Sequence, residues 1–184
     1  MKGLAVYLKI RYDTITCYRN LVDIHEGIDS TLLILHNRLK LKPNHPEIKI
    51  IKKYSCLPKV DCYPGQLNQV FMYIIANAID ALNDEINKKQ DFIPQIKIYT
   101  ELFGNSNIAI RIADNGSGIP LKFQSKLFDP FFTTKEVGKG TGLGLSISYQ
   151  IIVDKHHGKL TCQSTPEKGT EFMIQIPINQ KSQD

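Results

Sequence analysis

The sequence predicts an α+β fold, a mixed sheet covered on one face by helices. Segments of helical and strand periodicity follow the order helix, two strands, helix, two strands, loop, helix, two strands. Strands arriving in adjacent pairs favour hairpins under one helical layer over a doubly wound parallel sheet. The length of 184 residues suits one domain with a full core. No internal repeat divides it further.

Residues 1–21 carry no clear pattern and are assigned to a leader or linker remnant. Asp23 and Glu26 form a capping box, and Ile28, Leu32, Leu35 and Leu39 recur at helical spacing, so a helix is expected over 25–41, ended by Pro43. The β-branched stretch 47–54 (EIKIIKKY) reads as a strand and 60–62 as a short second one. The strongest helix is 66–87, where Leu67, Val70, Phe71, Ile74, Ile75, Ala78, Ile79 and Leu82 make a wide apolar face. Tyr73, Asn77, Asp80 and Asp84 share another face of it. A hairpin follows at 95–102 and 107–113, joined by Phe103-Gly104-Asn105-Ser106. After the turn cluster 114–120 a long loop runs to Gly142, a third helix to about 155, and strands to 159–164 and 170–177. The main domain is expected over 22–178, with a polar tail at 179–184.

Composition excludes several classes. The apolar share of 42% and charged share of 22% are those of a globular protein. The net charge of +5 is scattered, and its densest cluster, Lys49, Lys52 and Lys53, fits a solvated strand face better than a nucleic-acid patch. Cys17, Cys56, Cys62 and Cys162 form no C-x-x-C pair and read as reduced thiols of a cytoplasmic protein. No apolar run suffices for a membrane helix.

The chemistry concentrates in 128–145 (FDPFFTTKEVGKGTGLGL). Phe128, Phe131 and Phe132 precede a polar run and then glycines at alternate positions, Gly138, Gly140, Gly142 and Gly144, before a helix. Such glycines let a backbone approach a ligand, and helix starts favour anions, so the stretch predicts a phosphate cradle. A P-loop is excluded because Gly138-Lys139 is followed by Gly140, and a dinucleotide fingerprint because its last position falls on leucine. A flexible surface loop remains the bland alternative. Loops of this length in compact domains are usually functional or disordered. Asp114, closing a strand, offers acceptors that suit the exocyclic amine of a base, although a turn-capping aspartate would look the same. Asn77, a poor helix-interior residue, offers an amide oxygen fit for Mg²⁺, or for a bond to a neighbouring loop. Asp80 can assist through water. Lys135 can meet a terminal phosphate as a point charge, or lie in solvent.

In this order the residues resemble the catalytic ATP-binding domain of sensor histidine kinases, in the superfamily shared with gyrase, Hsp90 and MutL. The resemblance covers about Val22 to Pro177. Asn77-Ala78-Ile79-Asp80-Ala81 resembles the N box, Asp114 to Ile119 the first glycine box, Phe128 to Lys135 the F box, Gly140-Thr141-Gly142-Leu143-Gly144-Leu145 the second glycine box, and Gly169-Thr170-Glu171-Phe172 the last turn. It implies a Bergerat-type two-layer α/β sandwich with three helices on a mixed sheet. It also implies ATP and Mg²⁺ as cofactors. Asp114 would bind the adenine amine with Thr170 beside it, and Asn77 would hold Mg²⁺. Asp80, Gly116, Gly118, Ile119, Phe128, Lys135, Gly140, Thr141, Gly142, Leu143, Gly144 and Leu145 would complete the nucleotide site under a lid at 115–141, with Asn77 and Lys135 serving the transfer itself.

Two departures shape the expected function. Four residues before Asn77 the kinases usually carry a second asparagine and the hydrolytic relatives a catalytic glutamate; here it is Tyr73. A phenol of pKa about 10 is no general base at neutral pH, which argues against gyrase-like hydrolysis. His25-Glu26 begins like the phosphoacceptor H box, but Ile28 and Asp29 break it and the proline is missing. The expected function is therefore transfer of the γ-phosphoryl group of Mg-ATP to a histidine on a separate or missing dimerisation module, with a response regulator as downstream partner. The isolated chain is expected not to phosphorylate itself. The alternative is a nucleotide-binding regulatory module without kinase activity. No nucleic-acid partner and no membrane segment are expected in this chain.

Overall fold

The computed structural model describes residues 18–40, 46–135 and 140–179. Most of the expected leader and tail, Pro43, Cys17 and Gly138 therefore lie outside the described residues. Strand β1 (Asn20–Val22) is followed by helix α1 (Ile24–Ile34) and the short α2 (His36–Leu39). Then come β2 (Lys49–Tyr54), β3 (Val60–Cys62) and the long α3 (Pro64–Ile86). The second half runs β4 (Gln95–Phe103), β5 (Asn107–Asp114), α4 (Leu121–Gln124), α5 (Gly144–Gln150) with a π-turn (Ile151–Lys155), β6 (Lys159–Thr165) and β7 (Gly169–Pro177).

Five strands form the main sheet in the order β2-β4-β5-β7-β6. The β2–β4 pair is parallel, and the β4–β5, β5–β7 and β7–β6 pairs are antiparallel. This is the mixed sheet that the sequence predicts. Strand periodicity sorts its faces. Ile96 and Ile98, then Ile108, Ile110 and Ile112, then Phe172, Ile174 and Ile176 are buried under the helices. The opposite face carries polar pairs such as Arg111 and Glu101, 2.7 Å apart. The wide apolar face of α3 is buried from Leu67 to Leu82, packed between α1, α5 and β5.

Three local details differ from expectation. The helix expected over 25–41 breaks at Leu35 into α1 and α2, although the stripe Ile28, Leu32, Leu35 and Leu39 stays buried throughout. Asp23 caps it by accepting the His25 N–H at 2.9 Å. β3 does not pair with β2; it leaves the main sheet to pair antiparallel with β1, taking in Asn20 and Leu21 from the stretch assigned to the leader. The Asp61 N–H reaches Ile178 O at 2.8 Å and ties this small sheet to the end of β7.

His156, fully buried after the π-turn, braces that junction. Its Nδ1 lies 2.7 Å from Ile151 O and so carries the proton, while Nε2 accepts the Tyr63 N–H at 3.1 Å. Burial lowers its pKa, aided by His157 and Arg19 and opposed by the Ile151 carbonyl and Asp61. The unfolded chain, with an ordinary histidine pKa near 6.5, then takes up a proton that the folded chain refuses. This stability is present above about pH 6.5 and is lost as pH falls below it, at up to about 1.4 kcal/mol per pH unit. Urea midpoints between pH 7.5 and 5.5 are expected to fall more steeply for the wild type than for His156→Gln; parallel profiles would exclude His156 as the cause.

Candidate functional site

The site is strung along one face of α3. Tyr73, Asn77, Asp80 and Ala81 succeed one another over two turns, and between them they meet three parts of the loop region. A Cβ at Gly144 would lie 3.1 Å from the Tyr73 ring, so the start of α5 sits directly on that phenol. The Lys135 ammonium lies 3.3 Å from Asn77 Oδ1 and 2.5 Å from Asp80 Oδ2. A Cβ at Gly116 would lie 3.0 Å from Ala81, which places the turn after β5 one step further along the helix.

At the Asp80 end, charge is balanced by two cations. Arg38 of α2 donates to Asp80 Oδ1 at 2.5 Å while Lys135 holds the other oxygen. Arg38 lies 42 residues from Asp80 in sequence, and no local pattern marks it as a site residue. Asn77 and Asp80 are hard oxygen donors, and a cation already sits against both, so the donor set fits Mg²⁺. Among the described residues no three His, Cys, Asp or Glu side chains gather into a metal cage, so the ion's remaining ligands would come from phosphate and water.

At the other end, Asp114 closes β5 directly opposite Thr170 of β7. A cleft of about 550 Å³ opens there, lined by Asp114, Gln124, Cys162, Ser164 and Thr170 among others. Burial pushes the Asp114 carboxyl up to about 6, partly offset by the Gly116 and Thr170 backbone groups. The Gly116 N–H reaches its Oδ1 at 2.8 Å. Burial also pushes the Cys162 thiol up to about 12, so it stays protonated.

The first glycine turn is anchored to the β6–β7 hairpin. Gly118 has φ +67°, and a Cβ there would lie 2.2 Å from Thr165 O. The Ile119 N–H donates to Ser164 Oγ at 2.8 Å. Gln124 Nε2 donates to Ile119 O at 2.8 Å and Ser164 O at 2.9 Å. Neither Ser164 nor Gln124 stands in a local motif, and both were missed from sequence for that reason.

The second glycine box rests on the aromatic stretch before it. Phe128 is half-buried against the core, its ring 5.2 Å from Tyr149 of α5. Gly142 has φ +66°, and a Cβ there would meet the Phe131 backbone at 2.4 Å. Gly140 lies beside Thr133 and the Lys135 stem. The Leu143 N–H reaches Thr141 Oγ1 at 3.4 Å, and Leu145 packs against the core. The predicted residues thus fall into two groups, Asn77–Asp80–Lys135 and Asp114–Gly116–Thr170, linked by α3 and the two glycine turns.

His25 belongs to neither group. Its Nε2 is 2.8 Å from Thr100 Oγ1, and its ring stacks on Tyr54 at 4.2 Å. Thr100 pairs with Ile110, four residues before Asp114, or about 13 Å back along the strand. Of the cysteines, Cys56, Cys62 and Cys162 are free thiols, as expected. No helix among the described residues is long and apolar enough to cross a membrane.

Comparison with known proteins agrees with this architecture. Sporulation kinase E of Bacillus subtilis is 36% identical over 128 residues, 70% of this chain and 16% of its own length. The AtoS signal transduction histidine-protein kinase of Escherichia coli is 42% identical over 113 residues, 61% of this chain and 17% of its own. The sensory histidine kinase/phosphatase NtrB of Salmonella typhimurium is 32% identical over 197 residues, 96% of this chain and 53% of its own. The chain thus spans from about a sixth to about half the length of these relatives. Among solved structures, the catalytic domain of histidine kinase ThkA aligns with TM-score 0.72 at 28% identity, covering 88% of this chain and 97% of that one. Residues 62–180 match the family described as histidine kinase-, DNA gyrase B- and HSP90-like ATPases. With that match over most of its length, on the two-layer fold of a histidine kinase catalytic domain, this chain belongs to that ATPase family.

Proposed function

We propose that this chain is the ATP-binding catalytic domain of a cytoplasmic two-component sensor histidine kinase. It positions Mg-ATP so that the γ-phosphoryl group reaches a histidine on a separate dimerisation module. The observation that carries this is the pairing of a half-buried carboxylate in a cleft, Asp114 at the end of β5, with an oxygen-and-ammonium cluster made by Asn77 and Asp80 of α3 and the loop residue Lys135. In this reading residues 22–178 make the nucleotide-binding unit. Asp114 and Thr170 hold the adenine amine, and the 115–141 lid closes over the phosphates.

Asn77 is the ligand for Mg²⁺, which would neutralise phosphate charge during transfer. Lys135 turns its ammonium from Asp80 to the terminal phosphate, and Arg38 then keeps the Asp80 carboxylate paired. Gly116, Gly118, Ile119 and the 140–145 backbone give the phosphates close approach, and Phe128 hinges the lid. Tyr73 covers Gly144 and supplies no carboxylate, which favours transfer to a protein over hydrolysis. ThkA has been crystallised with the response regulator TrrA, and a response regulator is the partner proposed here.

Isothermal titration is expected to give micromolar binding of Mg-ATP, about −6 to −8 kcal/mol. With γ-labelled ATP, acid-labile label is expected on an added dimerisation hairpin from a matched kinase and not on this chain, because His25 is held by Thr100 and Tyr54. Absence of binding at millimolar ATP would remove the proposal. Label on the wild-type chain that disappears in His25→Ala would make His25 the acceptor instead.

A further inference from the structure

Ser164 meets three polar groups at the floor of the Asp114 cleft. Its Oγ accepts the Ile119 N–H at 2.8 Å, lies 3.0 Å from Gly169 O, and lies 2.9 Å from Thr170 Oγ1. A hydroxyl has one proton and two lone pairs. A carbonyl oxygen only accepts, so the Ser164 proton goes to Gly169. The Ile119 N–H fills one lone pair. The remaining contact is a hydrogen bond only if Thr170 donates its own proton to Ser164. Thr170, 6% exposed, has then spent that proton sideways and turns lone pairs alone toward the cleft. Asp114, directly opposite on the neighbouring strand, also offers acceptors alone when ionised.

We infer that Ser164 sets base specificity as a positioning residue: it pins the Thr170 hydroxyl so that the Asp114–Thr170 edge consists of acceptors, selecting a base with an exocyclic amino group over one with a carbonyl at that position. The inference rests on the proposed binding of ATP in this cleft. An adenine amine has donors for such an edge. A guanine carbonyl would face it unpaired, and an unmade buried hydrogen bond is penalised more than a made one is rewarded. Without Ser164 the Thr170 rotor is free to turn its proton toward that carbonyl. Ser164 itself is held from both sides, by the Ile119 N–H and by Gln124 on its main-chain oxygen, so main-chain drift does not release the rotor.

The test is titration of Mg-ATP and Mg-GTP into the wild type, Ser164→Ala, Ser164→Thr and Thr170→Val. The wild type is expected to prefer ATP. In Ser164→Ala the ratio of GTP to ATP Kd should shrink about three- to tenfold, and Ser164→Thr should restore it. Weakening of both nucleotides by one factor in Ser164→Ala would reduce Ser164 to a structural brace and overturn the inference. If Ser164→Ala does not fold, Thr170→Val decides: loss for ATP alone supports an acceptor at Thr170, and equal loss for both, or loss for GTP, overturns it. A wild type that binds the two equally overturns this inference and leaves ATP binding standing; one that binds neither overturns both.

Discussion

Replacing Asp114 by alanine is expected to lower ATP affinity roughly 10- to 100-fold, the effect of one charge-assisted hydrogen bond at about 1.5–3 kcal/mol. The carboxylate lines the cleft at the end of β5, and burial there is what raises its pKa to about 6. The sign of the stability effect is opposite to that of the binding effect. A carboxyl whose folded pKa is raised from about 4 to about 6 stabilises the fold when protonated, and that contribution is lost as pH rises through 6. Asp114→Asn should therefore melt higher than the wild type at pH 7.5, by about 1–3 kcal/mol, and bind ATP more weakly. Wild-type affinity should itself decline as pH drops below about 6, because protonation turns one acceptor into a donor. Calorimetry of both proteins from pH 5.5 to 8 checks all three. If Asp114→Asn were destabilised at pH 7.5, the carboxylate would be a structural anchor and not a group held ready for a ligand.

Gly118→Ala is the second change with a large expected effect. A left-handed backbone costs a residue with a Cβ about 1–2 kcal/mol. The added methyl would also stand 2.2 Å from Thr165 O and 2.8 Å from Thr165 C, main-chain atoms of the β6–β7 hairpin with no side-chain freedom. Overpacking of that kind adds about 1–3 kcal/mol. Relief requires the turn to lift away, which breaks the Ile119–Ser164 bond and the Glu167 N–H to Ser117 O bond of 2.7 Å. A fall in Tm of roughly 5–15 °C is expected, with loss of ATP binding. Gly104 makes the control, since its φ of +64° is nearly the same and a Cβ there meets nothing within 4 Å. Gly104→Ala should cost only the backbone part, a few degrees. Equal shifts in the two variants would show that the hairpin gives way and that the close contact carries no energy.

The division between what the sequence disclosed and what it withheld follows the range of the interactions. The apolar face of α3, the β4–β5 hairpin and the capping Asp23 are local patterns, and each stands where its periodicity or turn chemistry puts it. Asp114 and Asn77 were legible because each breaks a local rule, a carboxylate ending an apolar strand and an amide inside a helix. Arg38, Gln124 and Ser164 break no local rule. The pairing of Arg38 with Asp80 and the anchoring of the first glycine turn through Gln124 and Ser164 arise from contacts 40 to 45 residues away, which leave no trace in spacing or composition. The break at Leu35 was invisible for the reverse reason: the buried stripe continues across it, so the pattern reads as one helix. The pairing of β3 with β1 was hidden because β1 is three residues long and lies in a stretch without periodicity.

The arrangement of loops along α3 also bears on how the gene can change length. Gly144, Lys135 and Gly116 each seat against a side chain fixed by the phase of that helix. One codon inserted between Tyr73 and Ala81 rotates everything beyond it by about 100° and carries half the site onto the buried side. A codon inserted in the stretch between Ile119 and Lys135 alters no such phase, and even doubling a loop's length costs only about 0.6 kcal/mol. Insertions and deletions should therefore accumulate in the loop and be purged from the helix. Descendants of this chain would keep one invariant ruler and try many covers.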